Sequence, residues 1–158
     1  MVDLSKYANK VYKIIGSAMT VHSELGWGLL EQVYQEALYL ELLDRGIANE
    51  REQKIEIYYK KHLLEKKYRM DIVVGDIIVE LKSVTSLVSA HRAQLCYYLR
   101  LTRKPIGLLI NFGEESLVGE RWAYDTDTNE CLIVDRNLEP ITEVDYSYLL
   151  DGEDGEIN

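Results

Sequence analysis

The chain has 158 residues, 47% of them hydrophobic and 28% charged, which is typical of one globular domain and excludes a disordered or fibrous chain. Its apolar runs are too short to span a bilayer, and its first residues lack the unbroken apolar stretch of a secretory signal. Two cysteines, Cys96 and Cys131, lie far apart and form no CxxC pair. We therefore predict no membrane span, no disulfide, no structural zinc site and a cytoplasmic protein.

The formal net charge of −9 is concentrated at the C-terminal end of the sequence. Residues 139–158 hold seven of the 27 acidic side chains and none of the 18 basic ones. The rest is therefore nearly neutral, which argues against broad affinity for nucleic acid but leaves room for a local basic surface. We predict one domain over residues 1–150, followed by a disordered acidic tail over residues 151–158.

Apolar periodicity predicts the elements in chain order. The first two helices are separated by a glycine-containing break at Gly26–Gly28, and the third precedes a buried strand. The predicted order is a mixed α/β domain with helix, helix, three strands, helix, strand and a final β-hairpin. The corresponding ranges are 3–25, 29–44, 53–59, 68–74, 77–84, 87–101, 106–112 and the hairpin 121–125 with 131–135.

The second and third strands are predicted to form a tight hairpin around Gly75 and Asp76. That turn sets a register in which Asp71 lies opposite Glu80 and Arg69 lies opposite Lys82. A period of two also places Glu80 and Lys82 on the same face of the sheet. Two acids and a lysine are therefore expected to converge on neighbouring strands.

Two opposed carboxylates among apolar neighbours are costly unless a cation compensates them. Mg²⁺ or Mn²⁺ would do so, because hard cations prefer carboxylate oxygens. Lys82 could then hold a phosphate oxygen or orient an attacking water, an arrangement suited to phosphodiester hydrolysis. The alternative is a solvent-facing strand in which Glu80 pairs with Lys82 or Arg69, and the register does not choose between the two.

Three helical residues have both a structural and a functional interpretation. Glu31 lies on an inward-facing stripe at the start of the second helix, where it could also interact only with the helix dipole. His22 lies in the apolar stripe of the first helix, a position more typical of a hydrogen-bonded core histidine than of a ligand. Gln94 has tyrosines three and four residues further on and could be an ordinary polar helix position.

Several short motifs occur in a fixed order along the chain. They are Gly28-Leu29-Leu30-Glu31-Gln32-Val33-Tyr34, Tyr68-Arg69-Met70-Asp71, Glu80-Leu81-Lys82, Ala93-Gln94-Leu95 and Gly107-Leu108-Leu109-Ile110-Asn111-Phe112-Gly113, with His22 upstream. This ordered set resembles the GxxExxY proteins, a family of small prokaryotic members of the PD-(D/E)XK nuclease superfamily. The resemblance covers roughly residues 5–113 and does not depend on one motif. A methionine, Met70, replaces the proline that often precedes the first aspartate.

The resemblance implies a restriction-endonuclease-like α-β-β-β-α-β core, to which this chain adds an N-terminal helix and a C-terminal β-hairpin. It also implies that Asp71 and Glu80 bind a divalent metal, Mg²⁺ or Mn²⁺. His22 would be an added metal ligand, because related nucleases of the RecB type use a histidine from an upstream helix.

The resemblance assigns three further roles by position. Lys82 would orient the nucleophilic water and stabilise developing charge. Glu31 would be the acidic residue contributed by a helix, and Gln94 would support the site from the helix that follows.

These observations favour a metal-dependent nuclease that acts on DNA. Two alternatives stay open at this level: a catalytically silent scaffold or binding module in a DNA-processing complex, and a regulated protein whose acidic tail occupies its own basic groove. Exposed sheet edges and 12 tyrosines would also permit a homodimer. The sequence assigns no role to residues 118–158.

Overall fold

A computed structural model describes residues 3–141 of the chain. The predicted acidic tail, 151–158, and the end of the predicted domain lie outside the described residues. The predicted mixed α/β class is confirmed, and the element order agrees with the prediction apart from an inserted two-stranded ribbon.

Three helices have the predicted positions. A short 3₁₀ turn, Ser5–Tyr7, leads into α1, Ala8–Leu25, and the others are α2, Glu31–Asp44, and α3, Ser89–Thr102. Helix α1 ends at Gly26, which has a φ of 76° and donates its N–H to the carbonyl of His22 over 2.8 Å. Glycine adopts this conformation without steric cost, so the predicted break between α1 and α2 has a simple cause.

Within residues 3–141, eight strands form a six-stranded sheet and a separate ribbon. The order across the large sheet is β1-β4-β5-β6-β7-β8, antiparallel except for the parallel β5–β6 pair, and β2 and β3 form the ribbon. Helix α3 is the crossover between the two parallel strands. The strands are β1 Glu50–Ile55, β2 Tyr58–Tyr59, β3 His62–Leu63, β4 Tyr68–Val74, β5 Ile77–Lys82, β6 Ile106–Asn111, β7 Val118–Asp125 and β8 Glu130–Val134.

The sheet lies between two helical layers, and its two faces bury different clusters. Helices α1 and α2 share one apolar cluster with Ile77, Val79 and Leu81 of β5, whereas α3 shares the other with Ile78. Because side chains alternate along a strand, Glu80 and Lys82 fall on the α3 side of β5. The central strand therefore carries its polar residues toward one helix.

The first predicted strand, 53–59, is wrong in its extent. Strand β1 ends at Ile55, which is buried, and Tyr58 and Tyr59 belong to the ribbon and are exposed. Alternation of Ile55, Ile57 and Tyr59 looked like one continuous face. The chain instead leaves the sheet after Ile55, and tertiary pairing with β3 decides where the next strand forms.

The prediction of no disulfide is also wrong. Cys96 of α3 and Cys131 of β8 form a disulfide, with Cα atoms 5.9 Å apart. The two residues are separated by 35 positions in the sequence and meet because α3 packs on the same side of the sheet as the partly buried Cys131. Sequence spacing alone carries no signal for this contact.

Helices of the described region, residues 3–141, include none that is both long enough and apolar enough to cross a membrane.

Candidate active site

The β4–β5 hairpin has the predicted register next to its turn and departs from it at the acidic residues. Pairs Ile72–Val79, Val73–Ile78 and Val74–Ile77 are confirmed, but regular pairing stops before Asp71 and Glu80. There the side chains replace the ladder: the N–H of Asp71 donates to Oε1 of Glu80 over 3.0 Å, and the N–H of Leu81 donates to Oδ2 of Asp71 over 2.8 Å. The two carboxylates are therefore held by reciprocal contacts between adjacent strands.

Strand β4 is irregular at Asp71 on its other side as well. The β1–β4 pairing is regular on both sides of Glu52 and Asp71 but skips these two residues, and Glu52 has a φ of 55°. The predicted pairing of Arg69 with Lys82 is not formed, because the β4–β5 ladder ends at Ile72 and Val79. On the other side of β4, Arg69 lies opposite Lys54 of β1. Asp71 is therefore unpaired in the backbone ladders to both neighbouring strands, β1 and β5. Its carboxylate instead contacts backbone and side-chain groups of β5 and α2.

The pKa values of Asp71 and Glu80 are both raised, because burial outweighs the favourable charges and hydrogen bonds around the two carboxylates. Burial raises the pKa of Glu80 well above its ordinary value, and the charge of Asp71 raises it further. Burial also raises the pKa of Asp71, while hydrogen bonds from Leu81 and toward Glu80 act in the opposite direction. Glu80 is only 3% exposed, so its ionised form needs a neighbouring positive charge.

Helix α2 contributes two residues to the same group. Burial and the charge of Asp71 raise the pKa of Glu31, and Lys82 opposes that shift. Gln35, one turn further along, donates from Nε2 to Oδ1 of Asp71 over 3.4 Å. The sequence motifs do not single out Gln35, although its position four residues after Glu31 places both on one helical face.

Helix α3 positions the side chain of Lys82, the last residue of β5. Nζ of Lys82 donates to Oε1 of Gln94 over 2.9 Å, and Nε2 of Gln94 donates to the hydroxyl of Tyr98 over 3.0 Å. Burial and the charge of Glu80 raise the pKa of Tyr98 to about 12. Because an ammonium group can only donate, Lys82 orients the Gln94 amide with its oxygen toward Nζ, and the amide NH₂ then donates to the Tyr98 hydroxyl.

The chain after Lys82 is fixed by Asn111, whose supporting role the sequence did not reveal. Lys82 and Asn111 are register partners, and the N–H of Phe112 donates to the carbonyl of Lys82 over 2.8 Å. The buried Asn111 side chain accepts from the N–H of Val84 and donates to its carbonyl, both at 3.0 Å. A Cβ at Gly113 would overlap the backbone of Val84, so this close approach requires glycine.

His22 does not join the acidic group. Its Nε2 lies 2.8 Å from the carbonyl oxygen of Glu114, and its ring lies 6.2 Å from that of Phe112. This environment is that of a hydrogen-bonded histidine at the edge of the core. The metal-ligand role of His22 stays a prediction.

The tyrosine of the GxxExxY motif fixes the loop that leads into α2. Tyr34 is fully buried and stacks on Phe112 with ring centroids 4.5 Å apart. Its hydroxyl donates to the carbonyl of Gly26 over 2.7 Å and accepts the N–H of Leu29 over 3.1 Å. Ser83, next to Lys82, donates its hydroxyl to the carbonyl of Leu29. Tyr34 therefore sets where α2 and Glu31 begin relative to the end of β5.

We expect Tyr34→Phe to preserve the fold and to loosen this loop. The ring would still stack on Phe112, but the carbonyl of Gly26 and the N–H of Leu29 would lose their shared partner. Two lost hydrogen bonds cost about 1–3 kcal/mol together. Amide hydrogen exchange at Leu29 should become faster while exchange at Phe112 changes little. Tyr12→Phe, at an exposed position on α1, is the matched control, and equal protection of Leu29 in the two variants would contradict the prediction.

The donor set fits a hard divalent cation. Within residues 3–141, no group of three or more His, Cys, Asp or Glu side chains is placed to hold a metal ion, so these residues offer no complete protein cage for one. Mg²⁺ rarely needs such a cage, because it is bound by one or two carboxylates and keeps water or substrate phosphate as its other ligands. Asp71 and Glu80 supply two such carboxylates. The pKa of each is raised, and a bound cation would lower it by stabilising the ionised form.

The fold and the acidic hairpin together define a class. A mostly antiparallel six-stranded sheet between helices, with paired carboxylates followed by a lysine on the central hairpin, is a restriction-endonuclease-like architecture. A family model described as the PD-(D/E)XK nuclease superfamily matches residues 8–122. The chain belongs to that superfamily.

Other comparisons add little. No curated protein matches the chain. Among solved structures, the crystal structure of SSO0001 is similar at 19% identity and a TM-score of 0.49, over 87% of this chain and 62% of that one. The chain thus spans less than two thirds of the length of SSO0001.

Proposed function

We propose that this protein is a Mg²⁺- or Mn²⁺-dependent nuclease that hydrolyses phosphodiester bonds of DNA. One observation carries the proposal. Each of the Asp71 and Glu80 carboxylates accepts a backbone N–H from the neighbouring strand just beyond the end of the β4–β5 ladder, and Lys82 lies two residues after Glu80 on β5. Membership of the superfamily supports the reaction class.

Each residue of the site would have a distinct role in the hydrolysis. A divalent cation held by Asp71 and Glu80 would polarise the scissile phosphate and neutralise charge on it. Lys82 would donate a hydrogen bond either to the attacking water or to a non-bridging phosphate oxygen, and Gln94 would hold its ammonium in place. Water would attack phosphorus and lose one proton to solvent, and the P–O bond to the leaving oxygen would break as that oxygen takes up a proton from solvent.

Helix α2 would support the carboxylates. Gln35 limits the orientations of Asp71 through its amide, and Glu31 would add a further acidic group beside it. The segment Gly28–Tyr34 supports assignment of the chain to the GxxExxY branch of the superfamily, which we include in the proposal. His22 as an added metal ligand, a homodimer and a cytoplasmic location remain predictions.

The proposal is tested by cleavage of end-labelled DNA with the full chain. Activity should require Mg²⁺ or Mn²⁺ and should stop in EDTA. Lys82→Met removes the ammonium but keeps the length of the side chain, and it should lower kcat by about 100- to 1,000-fold, the cost of losing one donor to developing charge.

The matched control is Lys104→Met. Lys104 also donates from Nζ, to the carbonyl of Gly75 at the other end of the hairpin over 2.8 Å, and its loss should leave kcat within about two-fold of the unsubstituted protein, as for other surface changes. Cleavage that persists equally in Lys82→Met and in EDTA would reject the proposal. Absence of both cleavage and Mn²⁺ binding by calorimetry would favour the scaffold instead.

A further inference from the structure

One surface of this acidic protein is strongly basic. Residues 51–69, which form β1, the ribbon and the start of β4, hold seven basic side chains against three acidic ones, although the full chain has a net charge of −9. Such a reversal of charge within one stretch marks a local anion-attracting surface.

Part of this surface is an open groove of about 580 Å³. Its basic side chains are exposed, and Glu65 is the one acid that lines it. We call it the basic groove; it is lined by Lys54, Glu65, Lys66, Lys67, Tyr68 and Arg69.

The like charges of the basic groove are poorly compensated within the protein. Lys54 and Arg69 lie directly opposite each other on β1 and β4, a pairing that destabilises a sheet. Arg69 has an ion pair with Glu52, but its N···O distance is 3.9 Å and both side chains are about half exposed. Exposed pairs of this kind contribute little, so an external anion would relieve the repulsion.

Tyrosines connect the basic groove to the acidic site. Tyr68 lies in the groove, and its ring lies 6.3 Å from that of Tyr97 in an edge-to-face arrangement and 6.0 Å from that of Tyr98. Tyr98 in turn accepts a hydrogen bond from Gln94, whose amide oxygen accepts one from Lys82. Tyr68 and Tyr97 remain 38% and 41% exposed, so Tyr68 within the groove and Tyr97 next to it are both open to a ligand.

We infer that the basic groove binds a single-stranded nucleic-acid segment and leads it toward Asp71 and Glu80, an inference that rests on the proposed function. Lysines and Arg69 contact the phosphates, and the exposed tyrosines stack on unpaired bases. A positively charged groove interleaved with aromatic side chains is the general means by which proteins hold single strands. Exposed rings beside the charges favour this partner over an acidic polypeptide, which has no bases to stack.

The test is binding of fluorescent oligonucleotides to the full chain in EDTA, so that cleavage plays no part. Lys66→Glu with Lys67→Glu should weaken binding of a 20-mer of dT by at least about 10-fold at low salt, and should lower the salt slope of log Kd by about 0.7 for each lost phosphate contact. The control, Lys10→Glu with Lys13→Glu, makes the same change in net charge at exposed positions of α1. It should leave binding nearly unchanged.

Stacking is tested separately with Tyr97. The dT oligonucleotide should bind better than an abasic strand with the same number of phosphates, and Tyr97→Ala should remove about 5-fold or more of that preference while Tyr97→Phe keeps it. Equal weakening by the two lysine pairs, equal binding of the abasic strand, or tighter binding of a 20-base-pair duplex would each overturn the inference. Because these measurements need no metal, they can fail while cleavage succeeds, and the reverse.

Discussion

Asp71→Asn is expected to abolish divalent-dependent cleavage while the protein stays folded. The amide keeps an oxygen that can accept the N–H of Leu81, and the Gln35 amide can rotate to accept from the new NH₂ group. The lost negative charge, however, removes one of two carboxylate ligands. Cation stabilisation of a phosphoryl transition state is worth several kcal/mol, so we expect a fall in kcat/KM of at least about 1,000-fold.

The hairpin itself offers the control for this substitution. Asp76→Asn makes the same chemical change five positions away, at the exposed turn, where Asp76 accepts a hydrogen bond from Tyr7 over 2.8 Å. The amide oxygen can accept the same bond, so activity should be retained. Circular dichroism of both variants should match the unsubstituted protein, and neither variant should unfold at a lower temperature. Retained Mg²⁺-dependent cleavage by a folded Asp71→Asn protein would contradict the assignment of Asp71 as a ligand.

Glu80→Gln is expected to stabilise the metal-free protein near neutral pH and to remove its response to Mg²⁺. The buried Glu80 carboxylate lies beside Asp71, and its pKa is raised by burial and by that charge. The substitution removes the cost of ionising it, while the amide oxygen can still accept the N–H of Asp71. Thermal unfolding should therefore occur at a higher temperature in EDTA.

The pH dependence follows from the direction of the shift. A carboxyl whose folded pKa lies above its ordinary value of 4.5 contributes stability at pH below that value and loses it as pH rises through the folded pKa. The Tm difference between Glu80→Gln and the unsubstituted protein should be small at pH 4, should grow as pH rises, and should level off once the carboxyl is ionised. A difference that shrinks with rising pH would contradict this prediction.

Mg²⁺ should reverse the order of the two proteins. At 100 times its Kd, a ligand that binds only the folded state adds about 2.7 kcal/mol, or about 5–10 °C in Tm for a chain of this size. The unsubstituted protein should show that increase and Glu80→Gln should not. Equal increases in both would contradict a role for Glu80 in holding the cation.

Glu120→Gln is the matched control for Glu80→Gln. Glu120 is also a fully buried glutamate, but Arg92 donates to both of its carboxylate oxygens, at distances from 2.7 to 3.0 Å. Removing one partner of a buried ion pair leaves the other uncompensated and costs about 3–5 kcal/mol. The same substitution should therefore lower Tm at Glu120 and, in EDTA, raise it at Glu80. Opposite signs would distinguish a glutamate paired with an arginine from one that lacks such a partner in the metal-free protein.

The residues of the hairpin were largely predictable. Gly75 and Asp76 specify a tight turn, and the turn together with alternating apolar residues sets the register from Ile72 to Val79. Once that register is known, Asp71 and Glu80 are the next residues on the two strands, so they are expected to lie close together even though the ladder stops before them. Local chemistry and a period of two were sufficient for this part.

Other features depended on contacts that sequence patterns do not encode. The ladder ends at Ile72 because the Asp71 and Glu80 side chains compete for the backbone N–H groups of Asp71 and Leu81. The Cys96–Cys131 disulfide, the support of Val84 by Asn111 and the pairing of Lys54 with Arg69 join residues distant in sequence. Only chain topology decides which of these meet.

The sequence by itself determined the helix and strand types, the turn and the identity of the acids, because each depends on short-range periodicity and on residue chemistry. Tertiary structure alone decided that Gln35 and Gln94, from two opposite helical layers, reach the same pair of strands, and that Tyr98 supports Gln94. It also decided that burial is the largest influence on the pKa of Glu80 and outweighs the opposing charge of Lys82. Burial is a property of the whole packed fold, so no local pattern could specify it.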